Sequence, residues 1–212
     1  MLLLLVRHGQ SLGNIEGRIQ GHDDPLTDLG RRQARAVADH LAAGQRITHL
    51  YTSPLDRAME TASIIGAAIG LDPVPVPGLA EINAGRAAGL LWEEWRAQHP
   101  ELAEIMARPD RPLHQGWAGG ESGREFGDRV IGAYNEIVTR HVGTDDVVVA
   151  VGHGGSLAWI AAHAYGDPLD IWPGARAGFV NCSVSELRID ARGHGTPGPW
   201  NQVTHLEHLG DE

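Results

Sequence analysis

Two histidines share one local setting: Arg7-His8-Gly9 follows the apolar run 2–6, and Gly152-His153-Gly154 follows the apolar run 147–151. Imidazole is the side chain whose ordinary pKa lies nearest neutrality, so it can act as nucleophile, base or cation. A glycine after each histidine lets the backbone approach a ligand with no Cβ in the way. Open α/β sheets bind ligands beyond the carboxyl ends of their strands, so strands ending this way are predicted to deliver both imidazoles to one rim. Arg57, in the first turn of a predicted helix, is expected on the same rim. Guanidinium forks bind phosphoryl oxygens in pairs and helix N-terminal amides point at the same charge, so the set suits a dianionic phosphoryl group. The chain holds 12 histidines. His40, His49, His99, His114, His205 and His208 are read as solvated or satisfied groups.

The elements that must position these residues follow from periodicity and punctuation. Residues 9–21 carry Gly9, Gly13, Gly17 and Gly21 and read as a loop. A helix is predicted from Thr27 or Asp28 to Gly44, with Ala34, Val37, Ala38 and Leu41 at helical spacing. Residues 47–52 read as a strand feeding Ser53-Pro54, a cap and first-position proline for a helix that runs to Gly70. Residues 73–77 hold too many prolines for more than a short edge strand. A capping box, Ser122-x-x-Glu125, opens a helix with Phe126, Val130, Ala133 and Ile137 on one face. Strands are expected at 147–151, 184–189 and, briefly, 203–206, with a helix from about residue 155 to 165. Alternating strands and helices predict an α/β fold: a three-layer αβα sandwich with a mostly parallel central sheet. The whole of 1–212 reads as one domain, with a small, partly helical insertion at about 90–121 over the active site. Trp92, Trp95 and Trp117 in that insertion either pack a small core or stack on a sugar, packing being the simpler reading.

Composition bounds the function. With 42% hydrophobic and 21% charged residues the chain is an ordinary globule. A net charge of -10 argues against a nucleic-acid partner, which needs a basic face. The apolar opening is too short for a signal-peptide core, and no stretch reaches the ~20 apolar residues that span a bilayer. A lone Cys182 fits a reducing cytosol, so a soluble cytoplasmic protein with no membrane partner is expected. His22-Asp23-Asp24 and the other histidines show no metal-ligand spacing, and no metal or other cofactor is expected.

Arg7-His8-Gly9-Gln10-Ser11-Leu12-Gly13-Asn14 resembles the signature of the histidine phosphatase superfamily, the phosphoglycerate-mutase-like proteins. Further blocks follow in family order: 17–21, 25–30, 51–62, Leu79-Ala80-Glu81-Ile82 and Gly152-His153-Gly154-Gly155. Ser11 stands where a threonine is more usual. The resemblance implies that His8 attacks phosphorus and carries a transient phosphohistidine, with its other ring nitrogen donating to a backbone carbonyl that fixes the tautomer. It implies that Arg7, Arg57 and His153 hold the phosphoryl oxygens, and that Glu81 donates and later accepts the leaving-group proton. Asn14, Gln20, Gly21, Ser53 and Gly154 are further candidates for phosphate binding. Residues 81–89 look like the phosphatase branch and lack the Glu-Arg-His-Tyr-Gly run of cofactor-dependent mutases. The expected activity is metal-independent hydrolysis of a small phosphorylated metabolite, a sugar phosphate or phosphoglycerate-type ester, with mutase-type phosphoryl transfer as the alternative. A homodimer is compatible with this reading.

Three rival readings compete. Gly9-Gln10-Ser11-Leu12-Gly13 fits a nucleophile elbow, suggesting a serine esterase, but it follows the first strand rather than a later one. Gly193 to Gly198 fits a dinucleotide fingerprint yet contains Pro197 and opens no helix, so it reads as a loop. A non-enzymatic phosphate-binding protein of the same fold is the third.

Overall fold

The computed structural model describes residues 1–108, 111–176 and 178–209. In chain order the elements are β1 (Leu2–Arg7), α1 (Leu12–Glu16), α2 (Asp28–Ala43), β2 (His49–Thr52), α3 (Asp56–Ile69), β3 (Val74–Pro75), α4 (Trp92–Gln98), α5 (Pro100–Ala107), α6 (Gly123–His141), β4 (Val147–Gly152), α7 (Gly154–Tyr165), β5 (Val184–Ile189) and β6 (Gly195–Pro197). The six strands lie in the order β3-β2-β4-β1-β5-β6. Those from β3 to β1 are parallel, whereas β5 pairs antiparallel with β1 and β6 antiparallel with β5.

β1 and β4 are continuous apolar runs because both faces of a central parallel strand are covered. On one face Leu2, Leu4, Val6, Val149 and Val151 pack against Ala34 and Val37 of α2 and Ala58, Ala62 and Ile65 of α3. On the other, Leu3, Leu5, Val148 and Ala150 meet Phe126, Val130 and Ile137 of α6 and Leu157 and Ile160 of α7. This is the expected α/β sandwich. Register does the functional work: Arg7 pairs with Gly152, so the next residues, His8 and His153, leave the sheet side by side. A third cluster, Ile19, Ala84, Ala87, Trp95 and Trp117, forms beyond this edge. Residues 109 and 110 of the expected insertion lie outside the described residues.

Four local expectations need correction. Ser53 and Pro54 do not start α3, which begins at Asp56 after Leu55, because the Ser53 hydroxyl is held by His153. Residues 203–206 are not a strand; a 3-10 turn, Thr204–Leu209, takes most of them. The glycine-rich stretch after β1 contains the short helix α1, ended by Gly17 in the left-handed region at φ 66°. The loop at 193–198 includes β6, a short edge strand that tolerates Pro197 for lack of an outer neighbour. None of the helices among the described residues is long and apolar enough to cross a membrane.

Candidate active site

His8 and His153 are each 1% exposed, with ring centroids 5.0 Å apart. His8 Nδ1 lies 2.7 Å from the Gly9 carbonyl. A carbonyl only accepts, so Nδ1 carries the proton and Nε2 keeps a free lone pair; among the described residues Nε2 has no partner. Burial, reinforced by Arg57 and Arg7, holds the His8 pKa well below the usual imidazole value, against the pull of the Gly9 carbonyl. His153 is lowered likewise by burial, then by Arg57, His8 and Arg7. Burial therefore favours the neutral form of both rings. His153 Nε2 shares a 2.7 Å hydrogen bond with Ser53 Oγ.

Arg57 is wholly buried. Its Nη1 donates to the Gly21 carbonyl at 2.8 Å, while Nε and Nη2 have no partner among the described residues. Arg7 Nη1 donates to the Phe179 carbonyl and its Nε is also unpartnered there. Burial lowers the pKa of both guanidiniums, opposed in each by the Glu81 carboxylate. Buried N–H groups without partners are rare and call for an occupant. An oxyanion beside His8 would supply one.

Glu81 Oε2 accepts from the Gly155 amide at 2.8 Å and Oε1 from Ile82 N at 3.0 Å. A Cβ at Gly155 would stand 2.3 Å from Oε1, so a larger residue there would push the Glu81 carboxylate aside. A cavity of about 450 Å³ is lined by Arg7, Asn14, Gln20, Glu81 and Gly155 at one end and by Trp92, Met106, Arg111, Trp117 and Trp172 at the other. His8, Arg57 and His153 are not among its walls and lie next to those that are.

The remaining candidates sort by contact. Asn14 Oδ1 accepts from Ser11 N at 3.1 Å, and Gln20 Nε2 donates to Ser11 Oγ at 2.7 Å; both residues face the cavity. Gly21 lines a separate recess and reaches the site only through Arg57. Gly154 opens α7 directly after His153. Ser11 is fully buried, its hydroxyl held by Asn14, Asp24 and Gln20, and no imidazole among the described residues reaches it. The esterase reading therefore lacks both access and a base.

Some contributors were not anticipated. Asn181 Nδ2 donates to the His8 carbonyl at 2.9 Å and to Asn14 Oδ1 at 3.3 Å. The signal was available: Asn181 precedes an antiparallel strand, and such a strand starts at the rim where parallel ones end. Arg129 of α6 donates to the Gly78 and Ala80 carbonyls at 3.1 Å and pairs with Glu121 at 2.8 Å, tying down the loop that carries Glu81. Arg111 lies 3.6 Å over the Trp172 ring with Nη1 on the Met106 carbonyl, and burial brings its pKa down to about 10.

A model of the histidine phosphatase superfamily (branch 1) matches residues 3–198. The chain belongs to that superfamily. It is 36% identical over 214 residues to phosphoglycerate mutase-like protein 4 of Arabidopsis thaliana, covering 98% of this chain and 88% of the relative. It is 32% identical over 211 residues to the metal-independent phosphoserine phosphatase of Arabidopsis thaliana, covering 98% and 84%. Among solved structures, a mycobacterial glucosyl-3-phosphoglycerate phosphatase in complex with VO3 superposes with a TM-score of 0.84 at 31% identity, covering 95% of this chain and 99% of that one. Histidine phosphatase relatives of this chain thus include both phosphatases and mutase-like proteins.

Proposed function

We propose that this protein is a metal-independent phosphomonoester hydrolase that works through a phosphohistidine on His8. The observation that carries the reading is the set of buried N–H groups of Arg57 and Arg7 unpartnered among the described residues, beside an imidazole whose Nδ1 proton is held by the Gly9 carbonyl so that Nε2 carries the lone pair. A phosphoryl group bound there receives charge-assisted hydrogen bonds in a desolvated site, where they are strongest. VO3 is a phosphoryl stand-in, and a mycobacterial relative named as a phosphatase forms a complex with it, which supports a phosphoryl-binding role for this chain.

The His8 Nε2 lone pair attacks phosphorus, forming an N–P bond as the ester P–O bond breaks. A proton passes from Glu81 to the departing alkoxide. Glu81, whose oxygens accept from the Gly155 and Ile82 amides, has to carry the proton it gives up in this step. Water then attacks phosphorus while Glu81 accepts its proton, the N–P bond breaks, and orthophosphate leaves. Arg7, Arg57 and His153 stabilise the charge that gathers on the equatorial oxygens, with Asn14, Gln20, Ser53 and Gly154 shaping the surround.

The far end of the cavity supports a substrate whose alcohol half is itself anionic, of phosphoglycerate or phosphoserine type. Arg111 is half-buried there on Trp172, and among the described residues it has no carboxylate partner. Mutase-type transfer is favoured by the name of one relative. It needs a second substrate hydroxyl, rather than water, to take the phosphoryl group.

The test is phosphate release from p-nitrophenyl phosphate, 3-phosphoglycerate, phosphoserine and glycerol 3-phosphate in excess chelator, with His8→Ala as control. Chelator-resistant release that vanishes in His8→Ala is expected. Loss of activity in chelator contradicts metal independence, and isomerisation without net phosphate release assigns the mutase reading.

A further inference from the structure

At the end of the sheet opposite the His8 rim, three potential metal ligands from three elements come together. His49 opens β2, Asp146 immediately precedes β4, and His141 ends α6. His141 Nδ1 lies 2.9 Å from Asp146 Oδ2, and His49 Nδ1 lies 3.9 Å from Asp146 Oδ1. The two imidazoles are 4.2 Å apart between centroids and tilted by 55°. One donor atom from each of the three residues lies within 4.8 Å of the other two. We propose that His49, His141 and Asp146 form a binding site for a divalent transition-metal ion of the zinc class, structural in role and separate from the phosphoryl site.

The donor chemistry selects the ion. Two imidazoles and one carboxylate suit a borderline cation such as Zn²⁺, whereas Ca²⁺ and Mg²⁺ favour all-oxygen sets. Metal bonds of ~2.0–2.1 Å set tetrahedral donors roughly 3.4 Å apart. The 2.9 Å contact is to Oδ2 and the 3.9 Å contact to Oδ1, so an ion that takes a single carboxylate oxygen requires the imidazole facing the other oxygen to move toward it. Three protein ligands leave a fourth position for water.

The surroundings also fit. Tyr51 Oη lies 2.9 Å from His141 Nε2, on the ring edge away from Asp146. When the ion takes Nδ1, the ring's single proton sits on Nε2 and donates to the Tyr51 oxygen, the outer contact that fixes a ligating tautomer. Asp146 Oδ2 also accepts from the Thr144 hydroxyl at 2.9 Å, which orients the carboxylate toward the two imidazoles. Among the described residues no arginine pairs with it. Asp146 borders a surface recess shared with Gln45, Thr144 and Asp145, and His49 is half-exposed, which gives an ion a way in. β4 has six residues, so at ~3.3 Å per residue this site stands about 20 Å from the catalytic rim. An ion here braces α6 against β2 and β4 and takes no part in phosphoryl transfer. The His141–Asp146 hydrogen bond alone would tie α6 to β4, and His49 Nδ1, 3.0 Å from the Thr48 hydroxyl, would exchange that neighbouring contact for the ion.

The test uses the full chain after chelator treatment, titrated with ZnCl₂ alone and followed by calorimetry and thermal melting. One ion per chain and a raised melting temperature are expected, with p-nitrophenyl phosphate hydrolysis unchanged at one equivalent. His49→Ala and His49→Gln are expected to weaken binding at least tenfold while leaving the metal-free melting temperature and the hydrolysis rate near wild type. Tyr51→Phe is expected to weaken it about tenfold. His22→Ala, which removes a ligand from the exposed group His22, Asp23 and Asp56, should bind as wild type does. Substoichiometric binding, binding unaltered in both His49 variants, or binding lost in His22→Ala overturns the proposal.

Discussion

Among the described residues two guanidinium nitrogens of the fully buried Arg57, Nε and Nη2, have no protein partner. The physical reading is that stability is spent on a site prepared for an anion. Arg57→Met should therefore lower kcat/KM by a factor on the order of 10²–10³ while raising the melting temperature of the ligand-free protein. A fall in both would mean that Arg57 holds the fold rather than the substrate. Glu81→Gln keeps one of the two acceptor contacts and cannot move the proton. It should slow alkyl esters far more than p-nitrophenyl phosphate, whose leaving group needs little protonation, and equal slowing would remove Glu81 from the proton-transfer role. At this scale the sequence was readable wherever chemistry sat at the end of an apolar strand, as for His8 and His153. Arg129 and Arg111 were not, because their targets are carbonyls and cavities made by segments distant along the chain.

The β1–α2 junction decides where the His8 ring points. Gly9 and Gly30 cross so closely that a Cβ on Gly30 would lie 2.0 Å from the Gln10 carbonyl oxygen, and one on Gly9 would lie 2.5 Å from that of Gly30. Gly30→Ala must push the segment after β1 away from α2, and with it the Gly9 carbonyl that fixes the His8 tautomer. A drop in both melting temperature and kcat is expected, with KM for phosphate esters less affected. Wild-type values would show that the junction has slack. The elements themselves were legible because their signals are local: continuous apolar runs for β1 and β4, and a capping box for α6 that the structure retains in full. The start of α3 was misread because Ser53 has two suitors, the helix end and His153, and only tertiary packing brings the second within reach. The 3-10 turn at Thr204–Leu209 was misread because a short stretch of mixed polarity carries too little periodicity to separate strand from turn.

Across the molecule, the buried imidazoles set a pH dependence with a definite sign. His8 and His153 have folded-state pKa values below the ordinary 6.5, so the unfolded chain binds protons first as pH falls. Their contribution is intact above about pH 6.5 and is lost as pH drops through that value toward the lowered ones. His163 and His205, also lowered chiefly by burial, add in the same direction, the His205 shift being partly offset by its hydrogen bond to the Cys182 carbonyl. The melting temperature of the ligand-free protein should fall between about pH 7.5 and pH 5.5, and His8→Ala should fall less steeply. A flat profile would mean that the rings are charged in the empty site. The global arrangement was legible as a layered sheet with chemistry on one rim. The cavity beyond it was not, since its walls come from segments around residues 17–20, 81–92, 106–117 and 172 that share no sequence pattern. The central claim is covalent: phosphorus passes through Nε2 of His8. The most direct measurement mixes the enzyme with ³²P-labelled substrate, quenches in alkali during steady turnover, where phosphohistidine survives, and maps the label by peptide mass spectrometry. The account predicts label on the peptide containing His8 in the wild type, more of it in Glu81→Gln with an aryl ester, and none in His8→Ala. Turnover with no label on that peptide at any quench time, or label that persists in His8→Ala, would contradict it.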